Sequence, residues 1–369
     1  MKFIRIRAVA KKEMLQIIRD PLSLAMGFVM PVLLLFIFGY AISLDVDDIT
    51  TIVYDQDRSS MSREIVADLS ASGYFQVVRH AEGEGEIEQY LDAGRARVGL
   101  TIPVDFSRDV RSGRVAQLPV VVDGSDSNTA TIALGYIAAL TEIYARRISA
   151  APPHALIEVR PRVWYNPELK SRNFIVPGLI AVIMMVIAAL LTSLCIAREW
   201  ERGTMEQLIA TPIKTSELIL GKMLPYYVVG IIDMALSVAM ATLLFEVPFR
   251  GSLALLSVIS TVFLFGSLSF GIIISIVTKS QLVSSQISVV ATYLPAFLLS
   301  GFMFSISNMT RPLQVLTHII PARYFVAILK GLFLKGSSVR VLYADALFLL
   351  GFAVIAFIVA NGTFKKRLG

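Results

Sequence analysis

Long apolar runs alternate with polar stretches along the chain, and six of these runs contain few charged side chains. A helix needs roughly 20 apolar residues to cross the hydrocarbon core of a bilayer, and each run is about that long. We therefore predict six transmembrane helices, at residues 22–44, 174–196, 223–245, 253–277, 282–304 and 342–360.

Residues 1–20 predict an amphipathic helix that lies along the membrane interface. Apolar residues recur at steps of three and four and so share one helical face. They are Phe3, Ile6, Ala10, Met14 and Ile17. Most basic residues of the segment lie on the other faces, a distribution typical of interfacial helices. We expect the helix to end at Asp20, because the residue before a proline avoids the α region.

Residues 45–172 separate the first two apolar runs and predict a water-soluble α/β domain. Short β-rich segments alternate there with helical patterns, and glycines mark the turns. The predicted strands lie at 51–54, 75–78, 98–102, 118–122 and 157–164, and the predicted helices at 64–69, 87–91, 104–110 and 127–148. This alternation favours a single sheet covered by helices, and roughly 130 residues can form an independent core.

The predicted fold class is therefore an α-helical polytopic membrane protein with an inserted extracytoplasmic α/β domain. The first span occupies residues 21–44, and the other five belong to a C-terminal region, residues 173–369. An even number of spans places both termini on one side. Six basic residues within 1–20, and a basic tail at 365–367, indicate that this side is the cytoplasm.

The segment 305–340 opposes this orientation, because it carries five basic residues although parity places it outside. Its two amphipathic pieces, 313–320 and 325–334, are separated by Pro312 and Pro321 and are too short to span a bilayer. We expect a re-entrant segment that dips into the membrane, where neighbouring helices protect it.

Composition narrows the functional classes. Hydrophobic residues make up 55% of the 369-residue chain and charged residues 17%, against about 25% charged in soluble domains. The net charge of +6 does not require a nucleic-acid partner, because much of the basic charge flanks the apolar runs. The single cysteine, Cys195, excludes an intrachain disulfide, and His80, His154 and His318 lack metal-ligand spacing.

The sequence contains no nucleotide-binding loop. Gly221-Lys222 lacks the upstream glycine and the following serine or threonine of a P-loop, so it cannot cradle ATP phosphates. Nucleophile elbows and zinc-binding His-Glu-x-x-His helices are also missing from the sequence. We predict that the chain is not an enzyme and binds no cofactor or metal itself.

The segment 198–222, between the second and third spans, predicts a structured cytoplasmic element. The second span continues as a charged helix to Glu201, and Gly203 ends it. A short helix follows, with Thr204 and Gln207 spaced as a capping box, and Pro212 ends that helix.

The next helix is expected to begin with Thr215 or Ser216 as its cap, and Glu217 then lies near the positive end of its dipole. A short helix between two breaks has the shape of a docking element, because it can convert a partner's movement into movement of the two attached spans. A solvated loop that only joins two helices is the alternative interpretation.

This loop resembles a family signature. The segment 201–212, ERGTMEQLIATP, with Glu217 and Gly221-Lys222, is similar to the signature of type-2 ABC exporter permeases, whose ATPase is a separate chain. Residues 165–167 with 174–178, and 321–325 with 330–335, resemble two further parts of these permeases. The resemblance extends over essentially the whole chain and is greatest to bacterial multidrug-type permeases.

The resemblance implies a permease that exports a hydrophobic or amphipathic substrate, drug-like or lipid, across the bacterial inner membrane. The implied partners are membrane lipid, an ATPase subunit that holds ATP and magnesium, and a second permease, identical or related. The resemblance does not decide whether a periplasmic adaptor also binds. The implied ATPase-coupling residues are Glu199, Glu201, Gly203, Thr204, Glu206, Leu208, Pro212, Glu217 and Lys222, together with the helix at 2–19.

Polar residues inside the spans are candidates for the translocation path. Asp233 lies midway along the third span, where a charge costs roughly 2.5–3.5 kcal/mol, so it should face protein or water. It either lines a path for cationic substrates or forms a proton-sensitive pair, or it is a protonated or paired carboxyl that ties two helices together. The polar stripe of the fifth span either lines the path or packs against neighbouring helices. It contains Gln281, Ser285, Ser288 and Thr292.

The fourth span carries small residues four positions apart, Ser267, Gly271 and Ser275, and this spacing favours close helix packing over a pore lining. Two other functional classes remain as alternatives. An ion-driven secondary transporter would show an internal repeat and an intramembrane ionic site. A surface receptor would use the inserted domain for binding and would not need the structured loop.

Overall fold

A computed structural model describes residues 2–41, 48–124, 127–148 and 170–364. The chain divides into two compact units. The first, the helical bundle, contains Met1–Ser43 and Arg162–Gly369, and the second, the inserted unit, contains Leu44–Pro161. The inserted unit is thus an excursion between two parts of one bundle, and its C-terminal boundary lies among residues that the structure does not describe.

The helices and strands follow one another in this order: α1 (Phe3–Arg19), α2 (Pro21–Tyr40), β1 (Ile49–Asp55), α3 (Ser60–Ala71), β2 (Phe75–His80), α4 (Glu84–Asp92), β3 (Val98–Ile102), α5 (Phe106–Arg111), β4 (Val120–Val122), α6 (Ser127–Ile148), α7 (Ser171–Glu201), α8 (Met205–Ala210), α9 (Thr215–Leu244), α10 (Leu253–Thr278), α11 (Gln281–Leu299), α12 (Arg311–Thr317), α13 (Pro321–Lys335) and α14 (Val339–Thr363).

Six helices within the described ranges are long and apolar enough to cross a bilayer, namely α2, α7, α9, α10, α11 and α14. The prediction of six transmembrane helices is confirmed. The fifth span was expected to reach residue 304 but ends at Leu299, because Gly301 turns the chain with φ +77°, a conformation that favours glycine. Residues 42–44 of the first predicted span lie outside the described residues.

Helix α7 forms the centre of the bundle. It is apolar on all sides and buried along most of its length, whereas α2, α11 and α14 expose apolar side chains outward, as lipid contact requires. It packs against α2, α9, α10, α11 and α13. Movement of α7 therefore affects most of the bundle.

The seam between α7 and α10 is tight because Gly271 has no side chain. A Cβ atom there would lie 2.1 Å from Thr192 Oγ1 and 2.3 Å from the Ala189 carbonyl oxygen. The Thr192 hydroxyl donates to the Leu268 carbonyl oxygen at 3.0 Å, and Ser275 Oγ accepts from two main-chain amides of α7 at 2.9 and 2.8 Å. The predicted packing role of this small-residue stripe is confirmed.

The first and last described helices reach the same end of the bundle, which we call the α1 end. Ile17 of α1 is buried in the bundle core. Phe364, at the last described position, lines a small crevice with Leu208 and Ile213 of the loop between α7 and α9. This arrangement agrees with an even number of crossings.

Helices α12 and α13 form a bent pair, with an angle of 83° between them, in the chain between α11 and α14. Together the two helices are long and apolar enough to form a bent seventh span. The alternative is a re-entrant loop, as predicted for this segment. Much of α13 is buried, and Phe325 stacks on Phe263 of α10 with ring centroids 4.0 Å apart.

The inserted unit contains a four-stranded sheet in the order β2-β1-β3-β4. Strand β1 is parallel to β2 and β3, and β4 is antiparallel to β3. Val53 and Leu100 of the sheet and Leu69 and Ile137 of the helices share its core. An α/β fold with one sheet was predicted and is confirmed for the described residues; the strand predicted at 157–164 lies outside them.

Candidate coupling site

Helix α1 is joined to the loop between α7 and α9 by a cluster of buried charges, which we call the ionic junction. The junction consists of Glu13 from α1, Glu199 from α7 and Lys222 from α9, with Lys12 and Thr204 at its edge. Three elements that are distant in sequence thus meet around one ammonium group.

Lys222 lies at the centre of the junction. Its side chain is only 1% exposed, and its Nζ donates to Glu13 Oε1 and, at 3.2 Å, to Glu199 Oε1. The sulfur of Cys195 lies 3.7 Å from the same nitrogen. Buried charges are tolerated when they are paired and hydrogen-bonded, so the junction fixes the positions of three helices relative to one another.

Glu199 has two further partners. Lys12 Nζ donates to its Oε1, and the Thr204 hydroxyl donates to its Oε2. The predicted capping box of Thr204 and Gln207 is therefore wrong, because the Thr204 side chain turns back to Glu199 and does not cap α8. Gly203, with φ +67°, supplies the predicted break that allows this turn.

Glu217 fastens the start of α9 to the start of α1. It accepts hydrogen bonds from the main-chain amide of Lys2 at 2.7 Å and from that of Lys214 at 3.1 Å, and Arg5 Nη1 lies 3.5 Å away. Arg5 also donates to the Pro212 carbonyl oxygen. The expected cap at Thr215 or Ser216 is wrong, because α9 already begins at Thr215 and Lys214 occupies the cap position.

Gly221 explains how α1 and α9 come close enough to pair their charges. A Cβ atom at this position would lie 2.7 Å from Val9 Cβ and 3.1 Å from the Ile6 carbonyl oxygen. The Gly-Lys pair that lacks a P-loop context therefore has a packing role: the glycine admits α1, and the following lysine binds it.

At the α1 end, Arg198 joins the end of α7 to the start of α2 and to the start of α11. Its guanidinium group lies 3.1 Å from Asp20 Oδ2, 3.4 Å from Ser23 Oγ and 3.3 Å from Gln281 Oε1. Burial raises the pKa of Asp20, but the hydrogen bond from Ser23 and the charge of Arg198 outweigh it and hold this pKa below its usual value. The carboxylate is therefore ionised at neutral pH and binds the start of α2 to α7.

Gln281, which was predicted in the translocation path, lies in this network. Its main-chain amide donates to Glu201 Oε1 at 2.7 Å, and its Nε2 donates to Glu201 Oε2 at 2.5 Å. Ser288 and Thr292, from the same predicted stripe, are buried farther along α11, and Ser285 is half-buried. The structure thus separates Gln281 from the other members of the stripe.

The predicted coupling residues fall into two groups. Glu199, Glu217 and Lys222 are buried and bound within the chain, which corrects the expectation that all of them form a surface for another subunit. The exposed members are Glu201, Gly203, Glu206 and Pro212, and the half-buried members are Thr204 and Leu208. An outside partner can therefore contact α8 and its flanks, while the buried group connects α8 to the bundle.

Glu13, which pairs with Lys222 in the junction, was not predicted as a site residue from the sequence. One signal was present, because Glu13 lies between Ala10 and Ile17 at steps of three and four, on the face that the structure buries. A single acid on the inner face of an otherwise basic helix indicates a buried basic partner.

Asp233 lies inside the protein, as predicted. It is buried against Met184 of α7 and Leu264 of α10 beside a cavity of about 10 Å³. Among the residues that the structure describes, neither of its carboxylate oxygens has a hydrogen-bond partner. No residue of α11 lines this cavity, so the structure does not bring Asp233 together with Ser288 and Thr292, and the translocation path stays a prediction.

Substitution of Asp233 by valine is expected to raise the unfolding temperature by a few degrees. The carboxyl group is buried and has no hydrogen bond among the described residues, and an unsatisfied buried polar group costs about 1–3 kcal/mol, which an apolar side chain of similar size does not. Thermal unfolding of the full-length protein in detergent measures the change, and Ser257→Ala, at an exposed position of α10, serves as the control. A lower unfolding temperature would show that the carboxylate has a partner.

A family model described as "ABC-2 family transporter protein" matches residues 22–360. The match begins in α2 and ends in α14, so it includes the inserted unit and the ionic junction except for its α1 members.

Three curated relatives match over 85–100% of their own length. The chain is 40% identical over 355 residues to "Probable multidrug ABC transporter permease YbhS" of Escherichia coli strain K12, covering 95% of this chain and 94% of that protein. It is 31% identical to "Probable multidrug ABC transporter permease YbhR" of the same strain over 368 residues, covering 99% and 100%. It is 27% identical to that strain's "Inner membrane transport permease YhhJ" over 325 residues, covering 86% and 85%.

Proposed function

Because the chain belongs to the ABC-2 family of transporter proteins, as a multi-pass permease subunit of an ABC exporter, we propose that α8 is the surface through which a separate ATPase drives it. Family membership sets aside the ion-driven transporter and the receptor. The observation that carries the proposal is the ionic junction, because it connects an exposed short helix to three helices of the bundle.

The ATPase docks on the exposed side of the loop, at Glu201, Glu206 and Pro212. Met205 anchors α8 from beneath, since its side chain is fully buried. A force on α8 therefore passes through short connections into α7 and α9. Because Lys222 and Glu217 bind α1, the three helices move as one body.

ATP and magnesium are held by the ATPase, since the 369-residue sequence contains no P-loop. The α1 end then faces the cytoplasm, with both termini and the 198–222 loop, and the inserted unit is extracytoplasmic. A second permease, identical or related, completes the transporter in the inner membrane. The substrate is hydrophobic or amphipathic, in keeping with relatives that are named multidrug permeases, and it enters from the cytoplasm or the inner leaflet.

The charge-reversing substitution Glu206→Lys tests the docking surface. We expect it to lower permease-dependent ATP hydrolysis roughly tenfold in proteoliposomes that contain the permease and its ATPase. An exposed glutamate in a docking surface is expected to face basic groups of the partner, and a lysine in its place would repel them. Glu206 is exposed and contributes nothing to the junction, so the unfolding temperature should not change.

Glu88→Lys, an equally exposed reversal on α4 of the inserted unit, is the matched control and should leave the ATPase rate unchanged. Equal rates for wild type and Glu206→Lys, with the complex intact, would place the docking surface elsewhere.

A further inference from the structure

A basic cleft of about 460 Å³ opens at the α1 end of the bundle. It lies where α1 ends and α2 begins, beside the end of α7 and the start of α11. Three arginines line it, Arg19, Arg198 and Arg202, against a single acid, Asp20. The cleft therefore carries an excess of positive charge.

Among the described residues, one of these arginines forms an ion pair and the other two form none. Arg198 is almost fully buried and pairs with Asp20 at 3.1 Å. The guanidinium groups of Arg19 and Arg202 are exposed and have neither an ion pair nor a hydrogen bond within the described part of the chain. The neighbouring Glu201 is bound through both oxygens to Gln281 and does not neutralise them.

The rim of the cleft is apolar and exposed. Leu22, at the first turn of α2, is 62% exposed, and Leu282, at the first turn of α11, is 65% exposed. On α1 the neighbouring Leu15 and Ile18 are also exposed. Free arginines at the end of α1 and just after α7, next to outward apolar side chains at the start of α2 and of α11, provide an ionic site at headgroup depth and an apolar track that leads into the bilayer.

We propose that this cleft binds one anionic phospholipid, with its phosphate between Arg19 and Arg202 and its acyl chains along α2 and α11. The chemistry favours a lipid over a protein segment, because a soluble partner would leave the apolar rim uncovered. The lipid would hold the α1–α2 elbow against the end of α7, next to the helix that the ATPase contacts. Binding requires neither ATP nor transport, so it is tested separately from the proposed function.

The test is a lipid titration of the full-length permease in detergent, followed by native mass spectrometry. Phosphatidylglycerol is the anionic probe, phosphatidylcholine the zwitterionic one, and inorganic phosphate the soluble one. A basic residue near a membrane surface contributes about 1 kcal/mol to attraction of anionic lipid, so Arg19→Gln and Arg202→Gln should each weaken phosphatidylglycerol binding roughly fivefold. The double variant should lose roughly 25-fold.

Arg340→Gln is the matched control, because Arg340 is an exposed arginine at the first turn of α14, at the opposite end of the bundle. It should bind phosphatidylglycerol like the wild type, and Arg202→Lys should retain most of the affinity. Unfolding temperatures establish that the variants are folded.

Three results would overturn the proposal. The first is a double variant that binds phosphatidylglycerol as tightly as the wild type does. The second is equal affinity for phosphatidylcholine, which would make the site apolar only. The third is displacement of the lipid by an equal concentration of inorganic phosphate, which would make it a free-phosphate site.

Discussion

Substitution of Lys222 by methionine is expected to lower the free energy of unfolding by about 3–5 kcal/mol, the range for breaking a buried ion pair from one side. Methionine keeps the length of the side chain but removes the ammonium group that contacts Glu13 and Glu199. Both carboxylates then stay buried with Lys12 as their only remaining basic partner in the described structure. Thermal or denaturant unfolding of the full-length protein in detergent measures the loss.

Two variants make this result specific. Lys214→Met, an exposed lysine just before α9, should leave the unfolding temperature unchanged. Glu13→Gln in the Lys222→Met background should recover a large part of the loss, because it removes one of the two buried charges that would otherwise share Lys12. A Lys222→Met protein that unfolds at the wild-type temperature would contradict the buried junction.

Gly271→Ala is expected to destabilise the bundle by about 3 kcal/mol, at the upper end of the usual range for overpacking. The new methyl group would lie within 2.3 Å of the Ala189 carbonyl oxygen, and main chain cannot rotate away as a flexible side chain can. Helices α7 and α10 must then separate, which also breaks the hydrogen bond from Thr192 to Leu268. The unfolding temperature of the full-length protein reports this loss.

The matched control for Gly271 is Gly351→Ala in α14. A Cβ atom at Gly351 would meet nothing within 4 Å, so the same substitution in another span should be neutral or slightly stabilising. Equal unfolding temperatures for the two variants would mean that the seam between α7 and α10 is looser than described.

The spans were predictable because the bilayer sets their length. The thickness of the hydrocarbon core translates directly into a number of residues, so apolar runs were sufficient to locate α2, α7, α9, α10, α11 and α14. The inserted sheet was predictable for a similar reason, since β3 lies at Val98–Ile102, where the pattern placed it. Local signals also located the break at Gly203.

The candidate site was less predictable because its partners are far apart in sequence. Glu217 was expected to interact with the dipole of its own helix, but it also accepts a hydrogen bond from Lys2, 215 positions away. Thr204 has the spacing of a cap, yet a carboxylate one turn earlier competes for its hydroxyl. Charged residues near a loop are usually solvated, so the local pattern did not indicate that Glu199 and Lys222 are buried.

The distance along the chain between Glu13 and Lys222 has a consequence for biosynthesis. The two residues are 209 positions apart, and at about 5–20 residues per second a ribosome needs roughly 10–40 s to make the intervening chain. During that interval α2, the inserted unit and α7 are made, and Glu13 of α1 has no Lys222 to pair with. Docking of α1 is therefore a late event, and a polypeptide truncated before α9 cannot complete it.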